Sequence, residues 1–207
     1  MVQRNRERPP ARRPAFKSPK PRMLIVTEGA VTEKKYLEGM IAWLKNSRVD
    51  FKVIGGVGVP ATIVQFALDL KRSAEEKSRL QRDDNLRYEE IWCAFDVDQH
   101  PKLPEVCKLA QQHGIELAIS NPCFELWIWL HFDDSPGVQS PQSLQCMLRR
   151  YLPDYRKHVR FSDVSQGYHD AVRRAEQLDH QAQAVGRPGR NPTTGIWRLT
   201  ENIRRIS

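Results

Sequence analysis

Apolar residues follow two rhythms along this chain, and their alternation predicts the fold. Met23-Leu24-Ile25-Val26-Thr27 is an unbroken apolar run, as expected of a strand buried on both faces. Glu28-Gly29 predicts a tight turn, after which Tyr36, Leu37, Met40, Ile41 and Leu44 recur at helical spacing and predict a helix over about 31–46. Phe51-Lys52-Val53-Ile54 reads as a second strand. Gly55-Gly56-Val57-Gly58 reads as a loop, and Pro60 as the opening of a helix over about 60–82. Glu90 to Asp96 forms a third strand. Val106, Leu109, Ala110 and His113 then mark a helix that Gly114 closes, and Ile115 to Ile119 forms a fourth strand.

Strands alternating with helices imply an α/β fold with a parallel sheet flanked by helices. Residues 123–132, 141–151, 165–184 and 193–206 read as helices. The polar stretch Asp133 to Gln139, with its proline and glycine, marks a seam. It separates a sheet-bearing core, 23–135, from a small helical C-terminal part, 136–207, packed on it. No internal repeat is visible.

Charge adds a third segment. The 207 residues carry 33 Lys+Arg against 25 Asp+Glu, a net +8. Residues 1–22 hold eight basic groups against Glu7 alone, so nearly all of the excess sits there, with five prolines and a single aromatic, Phe16. Such a segment buries too little apolar surface to offset its ordering entropy, and reads as a disordered basic arm. Its expected partner is a phosphate backbone, RNA or DNA. The longest apolar run, Cys123 to Phe132, spans about ten residues and includes Glu125. It is short of the ~20 residues of a membrane span. Cys93, Cys107, Cys123 and Cys146 show no CxxC spacing, so reduced thiols, no zinc and a cytoplasmic location are expected.

Chemistry in an open parallel sheet is expected beyond the carboxyl ends of the strands. Glu28 follows the first strand, Asp96-Val97-Asp98-Gln99-His100 the third, and Ser120-Asn121-Pro122 the fourth, with Glu125 opening the next helix. Asp96 and Asp98, two apart in an extended segment, face one side. Converging carboxylates repel unless a proton or cation intervenes, which suits Mg²⁺ or Mn²⁺. The alternative is a solvated turn. Glu125 lies in a stretch apolar on every face, so it is either a first-turn glutamate favoured by the helix dipole or a buried carboxylate with a task. His100 and His131 are candidate supporting groups. Arg149, Arg150, Arg156, Lys157 and Arg160, interleaved with Tyr151 and Tyr155, suit phosphate contacts with base stacking. They equally suit a solvated helix face. The glycine run 55–58 lacks the lysine and hydroxyl of a P-loop.

Leu24 to Gly29 with Thr32, Glu33 and Tyr36, followed by Phe95-Asp96-Val97-Asp98, resembles a TOPRIM-type catalytic core. The narrower block Ser120-Asn121-Pro122-Cys123-Phe124-Glu125-Leu126-Trp127, continuing to Leu130-His131-Phe132, resembles the RloB family, encoded near restriction–modification and abortive-infection loci. Asn191-Pro192-Thr193-Thr194 fits that family's closing helix, and the resemblance covers about residues 23–207. It implies a TOPRIM-like fold and Mg²⁺-dependent cleavage of RNA or DNA in antiphage defence. Glu28 would be the TOPRIM glutamate, and Asp96 and Asp98 its metal-binding pair. Asn121 and Glu125 match the RloB-type block. It also implies a partner among defence ATPases or restriction–modification components. The alternative is a non-catalytic nucleic-acid- or nucleotide-binding or regulatory module of a defence complex.

Overall fold

The computed structural model describes residues 20–45, 49–97 and 102–206. Five strands form one sheet: β1 (Arg22–Thr27), β2 (Asp50–Ile54), β3 (Glu90–Asp96), β4 (Glu116–Asn121) and β5 (Thr193–Thr194). Their order is β2-β1-β3-β4-β5. The first four run parallel, and β5 pairs antiparallel to β4, with Ser120 opposite Thr194 and Asn121 opposite Thr193. The strand expected from Met23 begins one residue earlier, at Arg22, which bonds Asp50 and the Leu86 carbonyl.

Apolar alternation on β1 and β3 builds two cores from one sheet. Met23 and Ile25 with Trp92 and Ala94 face α1 (Thr32–Leu44), α4 (Glu125–Leu130), α5 (Pro141–Leu148), α6 (Phe161–Val164), α7 (Tyr168–Ala184) and α8 (Ile196–Ile206). Leu24 and Val26 with Ile91, Cys93 and Phe95 face α2 (Pro60–Gln81) and α3 (Leu103–Gln112). Both faces of the central strands are therefore buried, which explains their lack of polar alternation. The C-terminal segments share the first core with β1 and β3.

Three expectations need correction. The helix read over 193–206 starts only at Ile196, because Thr193 and Thr194 complete the sheet edge instead. The helix read from 165 begins with a short 3-10 turn, Ser165–Gly167, and α7 proper starts at Tyr168. The helix expected over 141–151 ends at Leu148, and turns carry the chain on to Tyr155.

Strand order places the site. From β1 the chain crosses to β2 on one side, then returns to β3 and β4 on the other. The order reverses between β1 and β3, and the crevice outside their carboxyl ends is where open α/β sheets bind ligands. Glu28 follows β1 directly, and Asp96 ends β3.

Candidate active site

Glu28 and Asp96 meet at that crevice. The Glu28 backbone N–H donates to the Ala94 carbonyl at 2.9 Å, extending the β1–β3 ladder. Its side chain folds across the end of β3, and Oε2 accepts from the Asp96 N–H at 3.0 Å. Two acidic residues thus stand side by side at the floor of an open cleft of about 530 Å³.

Glu33 and Glu125 join them from the first turns of α1 and α4, and both are buried. Burial raises the pKa of Glu33 most strongly, and the Glu125 and Glu28 charges raise it further. Backbone N–H groups of Glu33 and Gly29 pull it part of the way back. Glycine at position 29 makes this packing possible. A Cβ there would lie 1.7 Å from Glu33 Oε2, and the carboxylate would have to move away. Cys123 reports the same field: burial first, then the charges of Glu125 and Asp96, drive its thiol pKa up. Four carboxylates therefore share one basin of negative potential.

A second turn braces the first. A Cβ on Gly55 would lie 2.6 Å from the Gly29 carbonyl oxygen, and Gly56 has φ +77° beside Ala30. The glycine loop is thus packed against the Glu28–Ala30 turn.

Positive charge faces the acidic floor across the cleft. Arg156, Lys157 and His158 line that wall. Two hydrogen bonds fix it. The Thr32 hydroxyl donates to the Lys157 carbonyl at 2.7 Å, and the buried Tyr155 hydroxyl donates to Glu125 Oε1 at 3.1 Å. Lys157 itself has φ +61°. The other expected basic residues lie outside the cleft lining. Arg150 stands over the Tyr151 ring, Arg160 pairs with Asp163 at 3.3 Å, and Arg149 is exposed at the end of α5.

Asn121 and His131 sit elsewhere too. Asn121 donates to the Gly189 carbonyl at 2.9 Å, tethering the turn before β5. His131 is buried at the end of α4. Its Nδ1 lies 2.9 Å from the Val164 carbonyl, which can only accept, so Nδ1 carries the proton. Nε2 then accepts from the Tyr36 hydroxyl at 3.0 Å. Burial lowers the His131 pKa to about 4, keeping the ring neutral.

Asp98 and His100, expected beside Asp96, lie outside the described residues. Among the described residues no group of three or more His, Cys, Asp or Glu side chains is arranged to hold a metal ion. Their donor chemistry nevertheless suits a hard cation: the cleft floor offers carboxylate oxygens whose mutual repulsion a divalent ion would relieve. Also among them, no helix is long and apolar enough to cross a membrane, and the four cysteines are free, with Cys93 and Cys123 buried.

Sequence reasoning missed Glu33, His158 and the supporting role of Tyr155. Glu33 had a usable signal, standing five residues after Glu28 across a glycine turn, which one helical turn brings back to the strand end. Tyr155 had none, because its partner Glu125 is 30 positions away.

The profile of a protein family described as RloB-like protein matches residues 23–203. No curated protein and no solved structure matches the chain.

Proposed function

Given that the chain belongs to the RloB-like protein family, we propose that it is a metal-dependent phosphodiesterase cleaving RNA or DNA with a TOPRIM-like core. One observation carries the reading: an acidic floor at the sheet's switch point faces a basic wall across a single cleft. A phosphodiester is repelled by the floor and attracted by the wall. It can occupy the space between them once a cation neutralises the carboxylates.

Glu28, Asp96 and Asp98 would hold Mg²⁺ or Mn²⁺. Such an ion supplies Lewis-acid polarisation of the phosphate and a lowered pKa for the attacking water. The chain's own residues do the rest. Arg156 and Lys157 seat the phosphate backbone and neutralise charge that builds on its oxygens. Glu28 is placed to accept the proton of the water that attacks phosphorus. Glu125, held by Tyr155, keeps its charge aimed into the cleft, and Glu33 deepens the negative potential that draws the cation in. Attack forms one P–O bond and breaks the opposite one, and the departing oxygen takes up a proton. A role in antiphage defence, beside an ATPase or restriction–modification partner, is the setting we propose, and the family resemblance supports it.

Cleavage of mixed single- and double-stranded RNA and DNA, with Mg²⁺ or Mn²⁺ and with chelator, tests the proposal. Asp96→Asn should lower cleavage by about 10²–10³-fold, the usual cost of losing one group that stabilises the transition state, while nucleic-acid binding survives. Undiminished cleavage by Asp96→Asn, or cleavage unaffected by chelator, would overturn it. A second reading, a non-catalytic nucleic-acid- or nucleotide-binding or regulatory module, rests on the basic wall, which would attract phosphate without any turnover. Binding without turnover under every metal condition would select it.

A further inference from the structure

The cleft has a third wall, which neither the metal nor the phosphate would use. Gln142 and Gln145, three apart on α5, share one face of the helix, and that face lines the cleft. Leu144 and Leu148 anchor the helix in the core beside that face. The neighbouring Gln139 shows what a structural glutamine does in this segment. Its amide N–H donates to the Pro136 carbonyl at 2.8 Å, and its oxygen accepts from the Ser143 hydroxyl at 2.7 Å. Neither Gln142 nor Gln145 has a side-chain hydrogen-bond partner among the described residues. Both amides are presented to the cleft, one exposed and one half-buried.

An amide carries a donor and an acceptor at fixed spacing, the pattern that pairs bidentately with adenine through N6–H and N7. Phosphate contacts position a nucleic acid, and base-edge contacts specify it. The cleft combines both kinds of surface. Arg156 and Lys157 flank the acidic floor, and the two amides stand on the neighbouring wall. Its volume of about 530 Å³ falls in the ~300–1,000 Å³ range of pockets that enclose one small ligand. That suits one unstacked nucleotide. A duplex shows its adenine N6/N7 edge only along the major groove, and a cleft sized for one nucleotide does not admit the paired helix, whereas loops and single strands can splay a base into it.

Resting on the reading of the cleft as a phosphodiester site, we propose that Gln142 and Gln145 form a base-reading wall. Its ligand is an unpaired adenine next to the scissile phosphate, and the substrate class is therefore single-stranded nucleic acid. RNA and DNA strands share this chemistry, and the test separates them.

The test is fluorescence anisotropy on the full chain with Ca²⁺ in place of Mg²⁺, so that the carboxylates are neutralised while cutting is slowed. The probes are labelled eight-nucleotide strands of adenine and of cytosine, each as RNA and DNA, an abasic strand of equal length, and a blunt hairpin duplex. Adenine strands should bind roughly tenfold more tightly than the abasic strand, as one good amide–base pair gives, and more tightly than the duplex. Gln142→Leu/Gln145→Leu should bring adenine affinity down to the abasic level and leave abasic binding in place. Gln145→Glu, close in shape, should reproduce part of the loss. The stronger of the RNA and DNA arms identifies the strand. An unchanged adenine-to-abasic ratio in a folded double variant would overturn base reading and leave the phosphodiesterase proposal standing. So would a duplex bound as tightly as the strands. No binding of any strand by the unmodified protein would remove both.

Discussion

Helices α1 and α4 each carry polar groups at two levels, and the two levels behave in opposite ways. At their first turns Glu33 and Glu125 meet Glu28 and Asp96 in the cleft, where burial first and the neighbouring like charges second push the Glu33 pKa up. One turn on, Tyr36 of α1 meets His131 at the end of α4, and donor and acceptor alternate from hydroxyl to ring to carbonyl. Tyr36 and His131 are buried among aromatic and aliphatic side chains, whereas of the acidic group only Glu33 and Glu125 are buried and Glu28 and Asp96 are partly exposed to the cleft. The lower one is complementary and complete, as buried polar networks in stable proteins are. The upper one concentrates charge of one sign, which destabilises the chain and makes sense beside a cation or a proton. Proximity in the sequence says nothing about which level is which; the hydrogen-bond inventory does.

The comparison breaks most readily at His131. His131→Leu strands the Tyr36 hydroxyl and the Val164 carbonyl in the core, and should cost about 2–4 kcal/mol at neutral pH. Its pH dependence follows from the pKa near 4. The folded value lies below the ordinary 6.5, so the unfolded chain binds a proton more readily. The stability from a neutral His131 is therefore complete above pH 6.5 and declines as pH falls toward 4, by on the order of 3 kcal/mol. Urea denaturation between pH 7.5 and 4.5 should show this decline in the unmodified protein and a flatter profile in His131→Leu. An equal slope in both would place the acid sensitivity elsewhere.

Glu33→Gln gives a smaller effect of opposite sign. A raised carboxylate pKa means the charged form is disfavoured in the fold, so removing the charge should raise the midpoint of thermal unfolding by a few degrees at pH 7.5. The gain should shrink as pH drops and the native carboxyl protonates. Affinity for Mn²⁺, read by calorimetry, should fall in the same variant. A destabilised Glu33→Gln would mean that its backbone hydrogen bonds outweigh the repulsion. Tyr155→Phe should have the smallest effect. It removes one hydrogen bond to Glu125, about 1 kcal/mol of stability, and should reduce cleavage by about fivefold without altering the thermal midpoint by more than a few degrees. Cleavage equal to the unmodified protein would show that Glu125 needs no such support.

Much of the fold was legible because β1 and β3 announce themselves: Met23 to Val26 and Ile91 to Phe95 are buried on both faces, and such runs admit few alternatives. The positions of Glu28 and Asp96 at the sheet's rim were legible for the same reason, since the strand ends fix which residues reach it. The two-residue β5 was not. Thr193 and Thr194 are strand residues only because Ser120 and Asn121 offer an edge more than seventy positions away, and local pattern cannot carry that. Tyr155 was read among residues suited to base stacking, because a tyrosine between basic residues looks solvent-facing. Its ring instead joins the first core and its hydroxyl meets Glu125. Arg149, Arg150 and Arg160 were grouped with Arg156 and Lys157 by sequence distance, and the turns after α5 disperse them.

Lys157 holds a backbone conformation that side-chain-bearing residues avoid, at about 1–2 kcal/mol per residue. The other two such non-glycine residues among those described, Lys45 and Arg82, end helices, where the left-handed turn is habitual. Lys157 ends no helix. Glycine or asparagine would sit there with less strain, so geometry alone does not account for a lysine. What the position does supply is a four-carbon tether rooted at one fixed point, with the Thr32 hydroxyl clamped on its carbonyl. The loop resembles a crane with a bolted base: the foot is pinned by that hydrogen bond, the arm is long, and under the proposed function the charge at its tip would follow a phosphate through the cleft.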